Sequence, residues 1–283
     1  MGNNHLQFQL SATQGPISGT FRIISPYFGE ANSGHPFVRL RLEDFSGHTY
    51  AYSWRDDVRH SSGLHEYSRA YIEGNIKHHK SGSVVEIETL VPANLEYQDI
   101  VRLIPQGLCP LPELLVELQA ALRLITIPAL KGFVRQVLMD DGIAFPFVAC
   151  PASLKHHHNY PGGLLKHSLE SFAFIEPQRS FTRDSYELGL VAALLHDIGK
   201  ILTLTPQMTP TSLGTCVEHD KLTLEVLGPA IQELYQAWPA GAKELRYLLG
   251  WKAQRTIPHY NMADLVACSD RLSAGLDMEK RRA

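Results

Sequence analysis

Leu194-Leu195-His196-Asp197-Ile198-Gly199-Lys200 sets an imidazole and a carboxylate side by side in an apolar run patterned as a helix. An unpaired carboxylate in such surroundings loses several kcal/mol or takes up a proton, so a cation is expected beside Asp197. A divalent metal would serve both residues at once.

Working outward, the chain supplies matching ligands. In Tyr160-Pro161-Gly162-Gly163-Leu164-Leu165-Lys166-His167, a proline and two glycines precede an apolar-periodic run and place His167 in the first turns of a new helix. Further on, Asp270 lies in another helix-patterned segment, with Leu265, Val266, Leu272 and Leu276 available for the core. Histidine, His-Asp and aspartate thus fall on three helices. Neighbouring helical positions point about 100° apart, yet His196 and Asp197 can converge on an ion held against that face. Nitrogen and oxygen donors without thiolate suit Mn, Mg, Fe, Co or Zn, and spacing alone does not choose among them.

Composition narrows the rest. With 283 residues the chain has room for two compact domains, and its net charge of -3 gives no general pull toward nucleic acid. Cys109, Cys150, Cys216 and Cys268 are scattered with no Cys-x-x-Cys pair, and read as reduced residues of a cytoplasmic protein. No apolar run reaches the length of a membrane span, and the first residues are not a signal peptide, so no membrane partner is expected.

The first ninety-odd residues alternate in short segments. Strands are predicted at roughly Ile17 to Ile24, Phe37 to Glu43, Thr49 to Trp54, Ala70 to Ile76 and Val84 to Leu90, with turns at Ser46-Gly47 and Ser81-Gly82. Five short strands make a small β-barrel, similar in order and length to an OB-fold. Val38, Leu40 and Leu42 should fill it, with Phe37, Arg39 and Arg41 outside; on the next strand Thr49, Ala51 and Ser53 suit a tight interior, leaving Tyr50, Tyr52 and Trp54 outside. Such a surface offers rings for bases and cations for phosphates of single-stranded RNA or DNA. The alternative is that the three aromatics are core or pack on the second domain. Charge does not decide, since residues 1 to 95 hold 8 Lys plus Arg against 9 Asp plus Glu.

Pro105, Gly107, Pro110 and Pro112 argue against a continuous element after the barrel. Helical patterning then begins at 113, with further helices near 127 to 139, 162 to 176, 187 to 203, 217 to 238, 241 to 250 and 261 to 276. The predicted fold is α+β in two domains: an OB-like barrel over 1–95, a linker over 96–112 and an all-α domain over 113–283.

Leu-Leu-His196-Asp197-Ile-Gly-Lys200 and Gly-Gly-Leu-Leu-Lys-His167, with Asp270 downstream, resemble the HD superfamily of metal-dependent phosphohydrolases. A barrel followed by that domain, with His157-His158-Asn-Tyr160-Pro-Gly-Gly between, is similar to the YhaM-type 3′-to-5′ exoribonucleases. The resemblance implies that His167, His196, Asp197 and Asp270 bind a divalent metal, that single-stranded nucleic acid is hydrolysed from its 3′ end, and that the chain forms a homo-oligomer. The ion would supply charge to phosphoryl oxygens and acidify water for attack at phosphorus.

Other residues acquire roles around that centre. Lys200, one turn after His196, can donate to a phosphate, or simply cap its helix end. Of His156, His157 and His158, one or two can reach the metal pocket, with Tyr160 beside them, to bind the scissile phosphate or protonate the leaving oxygen. A triplet cannot all point one way, and the alternative is a surface cluster. His219, in Val217-Glu218-His219-Asp220, is a candidate second-metal ligand, or else a bystander where Asp220 and Glu218 cap a helix. The chain departs from the two-metal pattern at Leu248-Leu249-Gly250-Trp251, where relatives tend to carry a histidine; His259 follows in a proline-containing loop. Two other readings stand beside the exonuclease: an HD hydrolase of small nucleotides whose barrel serves assembly, and a non-catalytic binding or scaffold protein. The latter is suggested by likeness to HD-containing domains of conjugative relaxase proteins, and Trp251 favours it.

Overall fold

The computed structural model describes residues 6, 10, 15–61, 64, 68–79, 82–93, 97–251 and 257–281, with His79 and Gln98 by backbone alone. The chain divides into two compact units, Met1–Gly107 and Leu108–Ala283.

In the first unit, β1 (Gly15–Glu30), β2 (Pro36–Asp44), β3 (Gly47–Ser53), β4 (Arg69–His79) and β5 (Gly82–Pro92) close into a barrel in the order β1-β2-β3-β5-β4. Neighbours are antiparallel except β3 and β5, and the short helix α1 (Asp56–Arg59) follows β3. This is the OB topology. Val38, Leu40, Leu42, Thr49, Ala51 and Ser53 are buried, while Arg39, Tyr50 and Trp54 are exposed and Phe37, Arg41 and Tyr52 half-buried, as the alternation requires. Closure leaves no open sheet edge.

One strand runs further than its sequence suggests. Ser25-Pro26 reads as a strand end, yet the ladder with β2 resumes after a register shift between Ile24 and Tyr27, where Ser25 takes φ +49°. A bulge absorbs the extra residues, re-aims the strand and brings Tyr27 and Phe28 to the surface. Asp44 Oδ1 accepts from Ser46 N at 2.8 Å in the turn before β3. The other expected turn falls on Ser81, outside the described residues.

Residues expected as a linker are mostly built into the barrel unit. Tyr97–Leu103 form a 3-10 helix with Ile100, Val101, Leu103 and Ile104 buried, and Phe45 exchanges backbone bonds with Arg102 and Gln106. Burial of four apolar side chains outweighs the proline punctuation.

The second unit is helical: α2 (Glu113–Arg123), α3 (Pro128–Met139), α4 (Asp141–Ala149), α5 (Gly163–Ile175), α6 (Arg183–Leu195), α7 (His219–Val226), α8 (Gly228–Ala237), α9 (Pro239–Gly250) and α10 (Met262–Lys280). Helix α4 went unpredicted because Pro146 interrupts its pattern. The segment predicted as one helix over 217–238 is two, broken at Gly228-Pro229. Helix α6 is buried from Tyr186 to Leu195 and forms the axis of the unit. On α10 the buried stripe is Met262, Ala263, Val266, Ser269 and Ser273, whereas Leu272 and Leu276, expected in the core, are 46% and 41% exposed. The inward stripe of that helix turns small and polar at Ser269 and Ser273, where it passes the acidic centre. No helix among the described residues is long and apolar enough to cross a membrane.

Candidate metal centre and the clefts beside it

His196 and Asp197 do not lie inside one continuous helix. Helix α6 stops at Leu195, His196 caps it, and Asp197 turns to φ -101°, ψ 10° before a 3-10 turn over Ile198–Leu202. This break lets two adjacent side chains face one point, which a straight helix would splay apart. The turn is held by close packing at Gly199, where a Cβ would come within 2.2 Å of the His219 carbonyl oxygen. Upstream, Gly162 takes φ +80° and Gly163 lies against the His158 carbonyl, so the two glycines launch α5 with His167 in its second turn.

Donor atoms of His167, His196, Asp197 and Asp270 converge. His167 Nε2 is 3.2 Å from His196 Nε2, 3.3 Å from Asp197 Oδ2 and 3.1 Å from Asp270 Oδ1. His196 Nε2 is 3.5 Å from each of those carboxylate oxygens. Two ligands each about 2.1 Å from an ion and at right angles sit about 3 Å apart, so the spacing fits a shared ion.

The far sides of the rings say the same. His196 Nδ1 lies 2.9 Å from the Ala193 carbonyl, which only accepts, so that nitrogen carries the hydrogen and Nε2 keeps a lone pair. Ser273 Oγ donates to Glu170 Oε2 at 2.9 Å and therefore accepts from His167 Nδ1, also 2.9 Å away. His167 Nε2 is thereby left facing inward. Two ring nitrogens and two carboxylates so directed are a donor set for a hard or borderline cation.

Electrostatics follow from burial of these groups. For Asp197 burial opposes ionisation, but Lys200, His196 and hydrogen bonds from His167 and His219 hold its carboxyl well below the usual range. Asp270 is likewise held down, against burial, by His167 and His196. Burial works against a proton on His167 while Asp197 and Asp270 favour it, with a net rise. A divalent ion would take the place of that proton.

Glu170, Ser273 and His158 form a supporting layer that sequence reasoning passed over or misassigned. Glu170 stands three residues after His167 on one helix face, a spacing that could have signalled it. Burial would raise its carboxyl, but bonds from His158 and Ser273 bring it to about 2. His158, expected as a catalytic group, is buried with Nε2 3.0 Å from Glu170 Oε2, and its backbone N donates to Asp277. The structure makes it a prop behind His167. Tyr160, expected to contact substrate, packs near His158 with the Arg281 guanidinium 5.8 Å from its ring centre.

On one flank of the centre, a cleft of about 500 Å³ is lined by His157, Lys200, Thr215, Cys216 and His219, with exposed His156 at its edge. His157 Nε2 is buried without a hydrogen-bond partner. Burial, then the neighbouring His167 and Lys200, lower its pKa to about 4, so at neutral pH it is an uncharged donor rather than a ready acid. Lys200 is 6% exposed and pairs with Asp197 Oδ2 at 2.5 Å, so its first partner is the carboxylate and it does not serve as a solvent-side helix cap. His219 Nε2 lies 3.2 Å from Asp197 Oδ1 and 2.9 Å from Asp220 Oδ1; burial opposes its protonation, yet these two carboxylates carry its pKa to about 9. Asp197, His219 and Asp220 thus make a second group of donors sharing Asp197. Capping by Asp220 and Glu218 was the alternative for this segment, but the N-cap of α7, Glu218, has no side-chain bond; the signal for Asp220 was a second His-Asp pair in the sequence.

On the other flank, a cleft of about 320 Å³ reaches His196, Asp197 and Asp270 and is walled by Leu248, Leu249 and Trp251. Trp251 stacks on Tyr247 and donates Nε1–H to Asp264. His259 packs on Tyr247 and Tyr260, away from the donor groups.

The barrel carries its own surface. Arg39 pairs in register with Tyr52, and Arg41 with Tyr50. Tyr52 meets Trp54 edge-on at 4.5 Å, Phe37 lies 6.5 Å from Trp54, and the Arg39 guanidinium sits 5.4 and 5.9 Å from the rings of Tyr27 and Tyr50. Phe37 lies on this face as expected, and Tyr27, hidden in the sequence by the bulge, extends the aromatic set.

Comparison with known proteins places this arrangement. The chain is 24% identical over 224 residues to a 3′-5′ exoribonuclease YhaM of Bacillus velezensis, covering 76% of this chain and 69% of that protein. It is 26% identical over 227 residues to the protein of that name from Listeria monocytogenes and 23% over 218 to that from Bacillus subtilis, in each case 73% of this chain and 66% of the relative. Over about three quarters of its length the chain is similar to proteins of that name. In both of the latter pairs the match spans just under two thirds of the relative's own length. No protein-family profile matches the chain. Its barrel is similar to the second OB-fold domain of replication protein A from Methanococcus maripaludis (14% identical, 28% of this chain and 85% of that one, TM-score 0.23). It is also similar to a small single-stranded DNA-binding protein from Streptomyces coelicolor (13%, 29% and 95%, TM-score 0.25).

Proposed function

We propose that the protein is a metal-dependent phosphodiesterase of HD type that shortens single-stranded RNA from its 3′ end in the cytoplasm. The observation that carries this reading is the convergence of His167, His196, Asp197 and Asp270, with inward-facing ring nitrogens, between two clefts. The YhaM relatives supply the reaction class, and the aromatic and arginine surface of the barrel supplies a means of holding a strand.

His167, His196, Asp197 and Asp270 would hold the ion, Mn before Mg, Co, Fe or Zn, and Asp197, His219 and Asp220 offer a place for a second. A divalent ion there supplies positive charge to phosphoryl oxygens and a more acidic water. The chain's own groups do the rest. Lys200 balances Asp197 and, from the wall of its cleft, adds positive charge for a phosphodiester; His157 donates an uncharged N–H to a phosphate oxygen. His158, Glu170 and Ser273 fix the tautomer and tilt of His167.

The test uses end-labelled single-stranded RNA and DNA with Mn, beside an Asp197→Asn control. Stepwise loss from the 3′ end of RNA that the control lacks is the expected result. Failure to cut any strand, with release of phosphate from mononucleotides instead, would replace this reading by the small-nucleotide hydrolase.

A further inference from the structure

The two clefts beside the donor centre differ in chemistry, and the smaller one has no task in the mechanism so far. Its wall of Leu248, Leu249, Val266 and Trp251 is apolar, and its charged lining, Asp197, Asp220, Asp270 and Arg271, carries both signs. The other flank, where Lys200 and His157 stand, is polar and offers donors to a phosphate. An uncharged planar group favours this one.

Size and rigidity point the same way. At about 320 Å³ the cleft is at the small end of ligand pockets, which run from about 300 to 1,000 Å³, and has room for one nucleoside rather than a run of bases. Its tryptophan is held before any ligand arrives. Tyr247 stacks under the indole at 5.4 Å and 22°, and Nε1–H is anchored on Asp264 Oδ1 at 3.1 Å. A ring fixed on one face and at its nitrogen loses little freedom when a base covers what remains.

We propose that this cleft is a one-nucleoside subsite in which Trp251 stacks on the base at the end being cut. Trp251 thereby contributes recognition rather than coordination. A subsite that accepts a single nucleoside beside the donor centre allows only the terminal linkage to reach it, which makes the cleft the source of end-restricted cutting. This deepens the nuclease reading and rests on it.

The full chain in Mn buffer is titrated by calorimetry with adenosine 5′-monophosphate and with ribose 5-phosphate, its base-free counterpart. Base–aromatic stacking corresponds to roughly 5- to 150-fold in affinity, so the nucleotide should bind at least about fivefold more tightly. Trp251→Ala should erase that difference and Trp251→Phe retain most of it. As a second variant, Ala267→Phe, which fills the cleft from the opposite wall, should abolish nucleotide binding while Mn binding persists. Equal affinities in the parent chain, or discrimination that survives both Trp251→Ala and Ala267→Phe, overturns the proposal. RNA shortening without base discrimination sinks the subsite alone; discrimination without RNA cleavage sustains the subsite and sinks the nuclease reading.

Discussion

His167 Nε2 and His196 Nε2 face each other across 3.2 Å, with the opposite nitrogen of each ring committed to Ser273 and to the Ala193 carbonyl. Two lone pairs so placed repel unless a cation or a proton lies between them. His167→Ala, His196→Ala and Asp197→Asn should each abolish retention of Mn through gel filtration, measured by elemental analysis. Turnover should fall by roughly 10²- to 10³-fold or more, the loss that follows removal of one electrostatic group from a catalytic site. Full metal retention by His167→Ala would remove it from the ligand set.

Behind the ring, Ser273 sets the His167 tautomer. Ser273→Ala should weaken Mn binding by roughly 10- to 100-fold, as outer partners of metal ligands do, with little change in fold. Competition with a fluorescent chelator reads this directly, and unchanged affinity would reduce Ser273 to packing.

Glu170 links metal support to acid stability. Its carboxyl is at about 2 in the folded chain against about 4.5 unfolded, so it stabilises the fold fully above 4.5 and that stability is lost as pH falls toward 2. The shift amounts to about 3 kcal/mol. Urea midpoints between pH 6 and pH 3 should fall more steeply for the parent chain than for Glu170→Gln; parallel slopes would contradict the assignment.

Lys200 and Asp197 form a buried pair, with side chains 7% and 8% exposed. Lys200→Met removes the cation nearest the carboxylate and leaves it to the surrounding imidazoles, which costs about 3 kcal/mol in chelator. Mn should restore part of that loss by taking over the neutralising role, so the melting deficit of Lys200→Met is expected to be smaller with metal than with EDTA. An equal deficit in both would show that the ion does not reach Asp197.

On the barrel, Tyr52→Ala and Trp54→Ala should each weaken binding of a single-stranded oligonucleotide by about 1 to 3 kcal/mol in fluorescence anisotropy with EDTA present. Arg39→Ala should instead flatten the salt dependence by about one unit of slope. Wild-type affinity in all three variants would assign that face to protein contacts.

Much of this was legible in the chain because alternation and helical period are local. Val38, Leu40 and Leu42 point inward as their spacing demands, and His167, His196, Asp197 and Asp270 meet as their helices and flanking glycines suggest. What escaped depends on contacts that spacing does not encode. Asp197 marks a helix end rather than a helix interior, because its φ/ψ answers to His219 and Thr223 packed over Gly199. Tyr27 joined the aromatic surface through a bulge, and His158 turned from the expected catalytic position because Glu170 and Asp277 claim it. Leu272 and Leu276 were placed by hydrophobicity alone, whereas the acidic centre dictates which stripe of α10 faces inward.

The donor residues span His167 to Asp270 along the chain, on segments that otherwise meet through side-chain packing and side-chain hydrogen bonds such as Ser273 to Glu170. Whatever ion they hold is therefore a cross-link formed late, after α10 has docked, and it counts toward the melting temperature. At a hundred times its dissociation constant, a ligand of the folded state alone adds about 2.7 kcal/mol. Metal scarcity would then shorten the life of the protein as well as slow it, since an unfilled centre leaves a looser helical unit for proteases to open.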